Sequence, residues 1–238
     1  VIGVIAPHAG HRYSGKVAAH AFQSMAALKA DTIAILSPLH SPYQGEIFTS
    51  GHSAYATPLG EILVDHDLIA ILEKELKGEL RLHHIRNDQE HSLEIELPFL
   101  QRVLRQPFKL LPIMIRKQTS HVAHLVGSAL GRTLKGINTI IVASSDLSHF
   151  YPAAIAKEYD RTILDRIESY DPDGVISAEE EGVGFACGRG AISAAMWAAR
   201  FLSADQARIL DYAHSGEITG DMQSVVGYGA AALLSSTS

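Results

Sequence analysis

A single cysteine stands among 238 residues, so an intrachain disulfide is excluded, and a reducing compartment is the natural expectation. No apolar run reaches the roughly 20 residues that a membrane-spanning helix needs. The apolar start, Val1 to Ala6, is too short for the core of a signal peptide. The chain has no run of Lys or Arg and a net charge of -6, which removes any general electrostatic pull on nucleic acid or anionic membranes. Charged residues make up only 19%, without the low-hydropathy bias of a disordered chain. These absences predict a cytoplasmic chain with neither nucleic acid nor a membrane as partner. The chain also starts inside an apolar run without an initiator Met, so an upstream segment is expected.

Apolar residues (47%) and histidine (13 residues) are what the chain has in quantity. The apolar fraction supports a sizeable core. Three short β-branched runs share one layout. Val1 to Ala6 leads into Pro7-His8-Ala9-Gly10, Thr32 to Leu36 into Ser37-Pro38-Leu39-His40, and Thr139 to Ala143 into Ser144-Ser145-Asp146-Leu147-Ser148-His149. Continuous apolar runs of this length read as strands buried on both faces. Further strands are expected at 62–64, 108–115, 207–212 and 224–231. Helical periodicity covers 15–28, 65–76, 91–104, 120–134 and 154–167, and another helix is expected from Cys187 to about Leu202. Such alternation predicts an α/β fold, a single domain over 1–238 with a mainly parallel central sheet and helices on both faces. The stretch from His40 to about Pro58 reads as a long irregular loop.

Ligands of open α/β sheets bind beyond the carboxyl ends of the strands. His8, His40 and His149 all fall there, and adjacent strands would turn all three imidazoles into one crevice. Each has an ordinary alternative as a loop histidine bonded to backbone or solvent. Asp146 either orients His149 and raises its basicity or caps the next helix. Glu90 and His91 open an apparently acidic helix, Glu90-His91-Ser92-Leu93-Glu94. Glu90 either serves the crevice as a carboxylate or complements the helix dipole, and His91 and Arg189 are secondary candidates for the same cleft. Cys187, in Ala186-Cys187-Gly188-Arg189, precedes a helix beside Arg189. That setting predicts a lowered thiol pKa, suited to a metal ligand or nucleophile. The alternative is a small buried apolar residue. His83-His84 and His121/His124 read as surface pairs.

Together these motifs resemble the Memo family (AmmeMemoRadiSam system protein B). The resemblance rests on Ala6-Pro7-His8-Ala9-Gly10 with Tyr13-Ser14-Gly15, Ser37-Pro38-Leu39-His40, Thr57-Pro58-Leu59-Gly60, Glu90-His91-Ser92-Leu93-Glu94, Ser144 to His149, Cys187-Gly188-Arg189 and Tyr228-Gly229-Ala230-Ala231. It spans almost the whole chain, although the family usually carries a further segment before the first strand. The resemblance implies a fold similar to class III extradiol ring-cleaving dioxygenases. Those enzymes hold non-haem iron with two histidines and a glutamate. The matching positions here are His8, His40 and Cys187, with thiolate where carboxylate is expected, and His149 matches the acid/base histidine. It also implies AMMECR1-type and radical-SAM proteins as pathway partners. Thiolate softens the donor set toward Zn(II) or Cu(I); the expected ion is iron or copper, with zinc as the alternative. Three functions follow: a redox-active dioxygenase-like metalloprotein, a zinc-dependent hydrolase or lyase, and a non-catalytic module that binds a peptide or protein in the old cleft; a small molecule or peptide is the ligand expected there.

Overall fold

The structure, a computed structural model, describes residues 1–104 and 106–236. The elements in chain order are β1 (Gly3–Ala6), α1 (His11–Gln23), β2 (Thr32–Pro38), β3 (Ile47–Ser50), β4 (Ala54–Thr57), β5 (Gly60–Leu63), α2 (His66–Leu76) and β6 (Leu82–Ile85). A 3-10 turn (Glu94–Glu96) leads into α3 (Leu97–Val103), β7 (Lys109–Ile115), α4 (Ser120–Leu134), β8 (Thr139–Ser144) and β9 (His149–Tyr151). The chain continues through α5 (Ala153–Glu168), α6 (Pro172–Glu180), α7 (Arg189–Phe201), β10 (Gln206–His214), α8 (Gly216–Thr219) and β11 (Val225–Leu234).

One sheet runs in the order β10-β11-β1-β8-β2-β7-β3-β6, with β9 added against β11, while β4 and β5 form a separate antiparallel pair. Its centre, β1-β8-β2-β7, is parallel as the apolar runs predict. Its flanks are antiparallel, where β11 meets β1 and β10 and where β3 meets β7. Alternate side chains of the central strands enter two cores. Ile5, Ala34, Leu36, Leu111 and Ile141 pack with α2, α4, α5, α6 and α7. Val4, Ile33, Ile35, Leu110 and Val142 pack with α1 and α3. Burial on both faces is why these strands read as unbroken apolar runs.

Two helices press closely together behind the sheet. A Cβ at Gly127 of α4 would lie 2.6 Å from the Ala194 carbonyl oxygen of α7, and one at Gly131 would meet Phe201. The small-residue face of α7 (Gly190, Ala191, Ala194, Ala195, Ala198) lets the backbones approach.

Several expected elements differ. The supposed loop after His40 holds β3 and β4. The first helix starts earlier, at His11, and ends at Gln23 rather than Leu28. No helix starts at His91: the segment is irregular to Leu93, and α3 begins only at Leu97, with Pro98 in its first turn. The strand near Ile62 sits in the small β4-β5 pair. β6, β9, α6 and α8 carried too few apolar residues in phase to be read from sequence. No helix among the described residues is long and apolar enough to cross a membrane.

Candidate metal centre

The order β1-β8-β2 puts three parallel strands side by side, so their carboxyl ends open at one edge of the sheet. His8 follows β1, Asp146 follows β8 and His40 follows β2. The fourth wall is the start of α7. There the chain passes so near β8 that a Cβ at Gly188 would sit 2.5 Å from the Ser144 carbonyl oxygen. Gly188 N donates to Ser145 Oγ (2.8 Å), and Cys187 N donates to Asp146 O (3.2 Å). Gln118 splints the same turn: its Nε2 donates to Cys187 O (2.7 Å) and its Oε1 accepts from Gly190 N (2.8 Å).

One nitrogen or sulfur from each of His8, His40 and Cys187 lies within 4.8 Å of the other two. His8 Nε2 is 3.2 Å from Cys187 Sγ. Metal–nitrogen bonds of about 2.0–2.1 Å and metal–sulfur bonds of about 2.3 Å place tetrahedral donors roughly 3.3–3.6 Å apart. The cluster therefore fits a metal ion after a small inward movement. His40, with its side chain 45% exposed against 3% for His8, is the member free to make it.

Each imidazole is gripped at Nδ1, which leaves Nε2 as its free nitrogen. His8 Nδ1 lies 2.9 Å from Ser144 Oγ. His40 Nδ1 lies 3.1 Å from both oxygens of Glu90. Such outer partners orient a ligating histidine and fix its tautomer. Both grips come from one segment. Glu90 holds His40, while the Ser92 carbonyl and Glu96 Oε1 contact the same Ser144 hydroxyl (2.5 and 2.8 Å).

The electrostatics separate the two rings. Burial, then the neighbouring His40 and His91, push the His8 pKa down to about 3. The hydrogen bond to Glu90 raises that of His40 despite some burial. Burial opposes ionisation of Glu90, yet the His40 side chain and the His40 and Ser92 amides outweigh it and hold its pKa down to about 2. The sheet interior and Asp146 push the Cys187 thiol far up, only partly offset by the Asp146 N–H that points at Sγ (3.3 Å). This reverses the lowered thiol expected beside Arg189. Arg189 Nη1 instead pairs with Glu179 Oε2 of α6 (2.5 Å), which neutralises its charge.

Asp146 neither caps a helix nor hydrogen-bonds to His149 among the described residues, since α5 starts at Ala153 with Pro152 at its cap. Its Oδ1 accepts from the backbone of His8 (2.8 Å) and Ala9 (3.1 Å), so it pins the turn that carries His8. Burial raises its pKa to about 6 against the pull of His149. His149, in β9, is kept neutral by burial, with its ring centroid 5.6 Å from that of Phe150 and 5.5 Å from that of Phe185. Glu90 sits in irregular chain rather than in a helical first turn. The His91 ring centroid stands 6.0 Å from that of His8 and 6.1 Å from that of His40, on the open side.

Sequence reasoning passed over Ser144, Ser92, Glu96 and Gln118. Ser144 sat in a quoted motif at a strand end. Glu96 was masked by the assumption of a solvated helix. Gln118 gave no signal. The other histidines lie elsewhere: His11 bonds Ile95 O, His84 pairs with Glu73, and His124 stacks edge-on against Trp197.

Comparison with known proteins gives a consistent result. The family model for Memo, described as Memo-like protein, matches residues 1–232. A MEMO1 family protein of Nitrosopumilus maritimus is 34% identical over 230 residues, which are 97% of this chain and 83% of that protein. One from Methanosarcina barkeri is 37% identical over 232 residues, 97% and 85% of the two chains. Among solved structures, an uncharacterised protein of Escherichia coli K12, JW3007, is similar with a TM-score of 0.57 at 11% identity, covering 95% of this chain and 98% of its own. That likeness is one of fold. With a match along nearly its whole length and relatives above one-third identity, this chain belongs to the Memo family.

Proposed function

We propose that this protein binds one iron or copper ion through His8 Nε2, His40 Nε2 and Cys187 Sγ and uses it in dioxygenase-like redox chemistry. The carrying observation is the convergence of these three donors from distant parts of the chain, with the spare nitrogen of both rings already engaged. Iron or copper bound there would supply open coordination positions and a change of oxidation state. Everything else is done by the chain. His8 and Cys187 close the buried side, and the exposed edges of His40 and His91 leave the other open to a small molecule or peptide. Asp146 fixes the His8 turn. His149, neutral near pH 7 and flanked by the Phe150 and Phe185 rings, takes a proton from a bound ligand or returns one. Arg189 is engaged by Glu179 and steadies α7 rather than the cleft. AMMECR1-type and radical-SAM proteins are the proposed pathway partners, on family grounds alone.

The soft thiolate also favours zinc, which gives a second reading as a hydrolase. Metal analysis by mass spectrometry separates the two, on protein purified anaerobically without an affinity metal column, beside the His8→Ala/Cys187→Ala double variant. Near-stoichiometric iron or copper, absent from the variant, supports the redox reading, and zinc supports the hydrolytic one. No metal, and no uptake when each is supplied, overturns both and leaves a ligand-binding module.

A further inference from the structure

The Ser144 hydroxyl is fully buried and has three partners: the Ser92 carbonyl oxygen at 2.5 Å, Glu96 Oε1 at 2.8 Å and His8 Nδ1 at 2.9 Å. A hydroxyl carries one proton and two lone pairs. The Ser92 carbonyl can only accept, and at 2.5 Å two oxygens with no proton between them would repel. The Ser144 proton therefore points to Ser92. Both remaining partners then face lone pairs, and each contact is a hydrogen bond only if that partner donates. For His8 this means a proton on Nδ1. For Glu96 it means a carboxylic acid rather than a carboxylate.

We infer that Ser144 is a positioning residue that locks His8 in its Nδ1–H tautomer, and that Glu96 is a neutral acid donating the second hydrogen bond to Ser144. The burial of Glu96 agrees. Glu96 is completely buried, and its Oε2 has no partner, an arrangement far less costly for a neutral carbonyl-type oxygen than for an ionised one. Burial, together with the nearby Asp146, drives the acid strongly toward its protonated form. The result is a lone pair on His8 Nε2 aimed permanently at Cys187 Sγ. The two imidazoles of the cluster thus have opposite backing: His40 leans on the ionised Glu90, and His8 on a neutral acid reached through a hydroxyl. A neutral Glu96 also spares the cluster a further negative charge beside Asp146 and Glu90.

The tautomer and the protonated acid are properties of the metal-free chain. Only their use in holding a metal rests on the function proposed above, and the tests separate the two. In metal-free protein with nitrogen-15-labelled histidine, the His8 ring (identified by its loss in His8→Gln) is expected to show a protonated Nδ1 and a bare Nε2. Infrared difference spectra of wild type against Glu96→Gln are expected to show a protonated carboxylic acid carbonyl at neutral pH. Glu96→Gln keeps a donor through its side-chain amide, so the His8 signals should not change. Ser144→Ala removes the acceptor and should leave a mixture of tautomers, with cobalt or zinc affinity about 10–100-fold lower. A His8 proton found on Nε2 in wild type overturns the lock. A carboxylate signature in place of the acid band overturns the neutral Glu96. An intact lock with unaltered cobalt affinity in Ser144→Ala overturns the positioning role, whereas no cobalt binding by wild type defeats the metal reading and leaves the proton assignment standing.

Discussion

Glu90 is nearly buried yet accepts from the His40 amide and ring and from the amides of His91 and Ser92, so its charge is compensated entirely by local donors. Its folded pKa of about 2 lies below the usual 4.5, so its stabilisation is complete above pH 4.5 and lost as the pH falls through 2. His40 is shifted upward from 6.5, so its share is complete below pH 6.5 and lost as the pH rises through its folded value. The stability gap between wild type and Glu90→Gln, read by denaturant melts of the metal-free protein, is therefore expected to be widest between pH 4.5 and 6.5. A gap that keeps growing below pH 4 contradicts this assignment. Cys187 makes the converse case. With its thiol protonated and buried, metal-free native protein should alkylate with iodoacetamide far more slowly than protein in denaturant, and equal rates would disprove the burial. Among the described residues His149 makes no hydrogen bond or ring contact with the three donors, so His149→Ala should retain metal in full while losing any proton-dependent turnover.

At the level of elements, the stretch from Glu90 to Glu96 supports both histidines, and the turn before α7 supplies the thiol. Two glycines separate packing from site geometry. Gly127→Ala pushes a methyl into α7 near Trp197 and should cost about 1–3 kcal/mol with metal affinity unchanged. Gly188→Ala forces the Cys187 turn off the Ser144 carbonyl, so calorimetry and metal titration should both register it. Equal effects of the two variants on affinity would show that this turn does not set the thiol's position. The central strands, and the placement of His8 and His40 beyond their ends, were legible because burial on both faces leaves an unmistakable apolar signature and parallel direction fixes which end carries the loops, whereas His149, expected in the same kind of loop, lies in β9. The segment from Glu90 to Glu96 was not. Its Glu-x-Glu spacing suits a solvated helix, and only the folded chain reveals that Glu90 and Glu96 are buried behind two different rings. The single Cys was legible through family resemblance, but its ionisation was not, because Arg189 spends its charge on Glu179.

For the whole molecule, a metal would tie together residues 8, 40 and 187. At a free concentration 100 times the dissociation constant, such a ligand stabilises by about 2.7 kcal/mol, which for a chain of this size raises Tm by roughly 5–10 °C. Scanning calorimetry should show that rise in wild type and none in His8→Ala/Cys187→Ala. A matching rise in the variant would place the ion elsewhere. The strand order has a consequence for the moment at which the site comes into being. β1 precedes β2 in the chain, yet its neighbours in the sheet are β8 and β11, and the strand that parts it from β2 is β8. His8 and His40 therefore precede both β8, which seats them side by side, and the turn that carries Cys187. If the proposed metal is bound, all three donors can hold it only once Cys187, far downstream of both histidines, is in place.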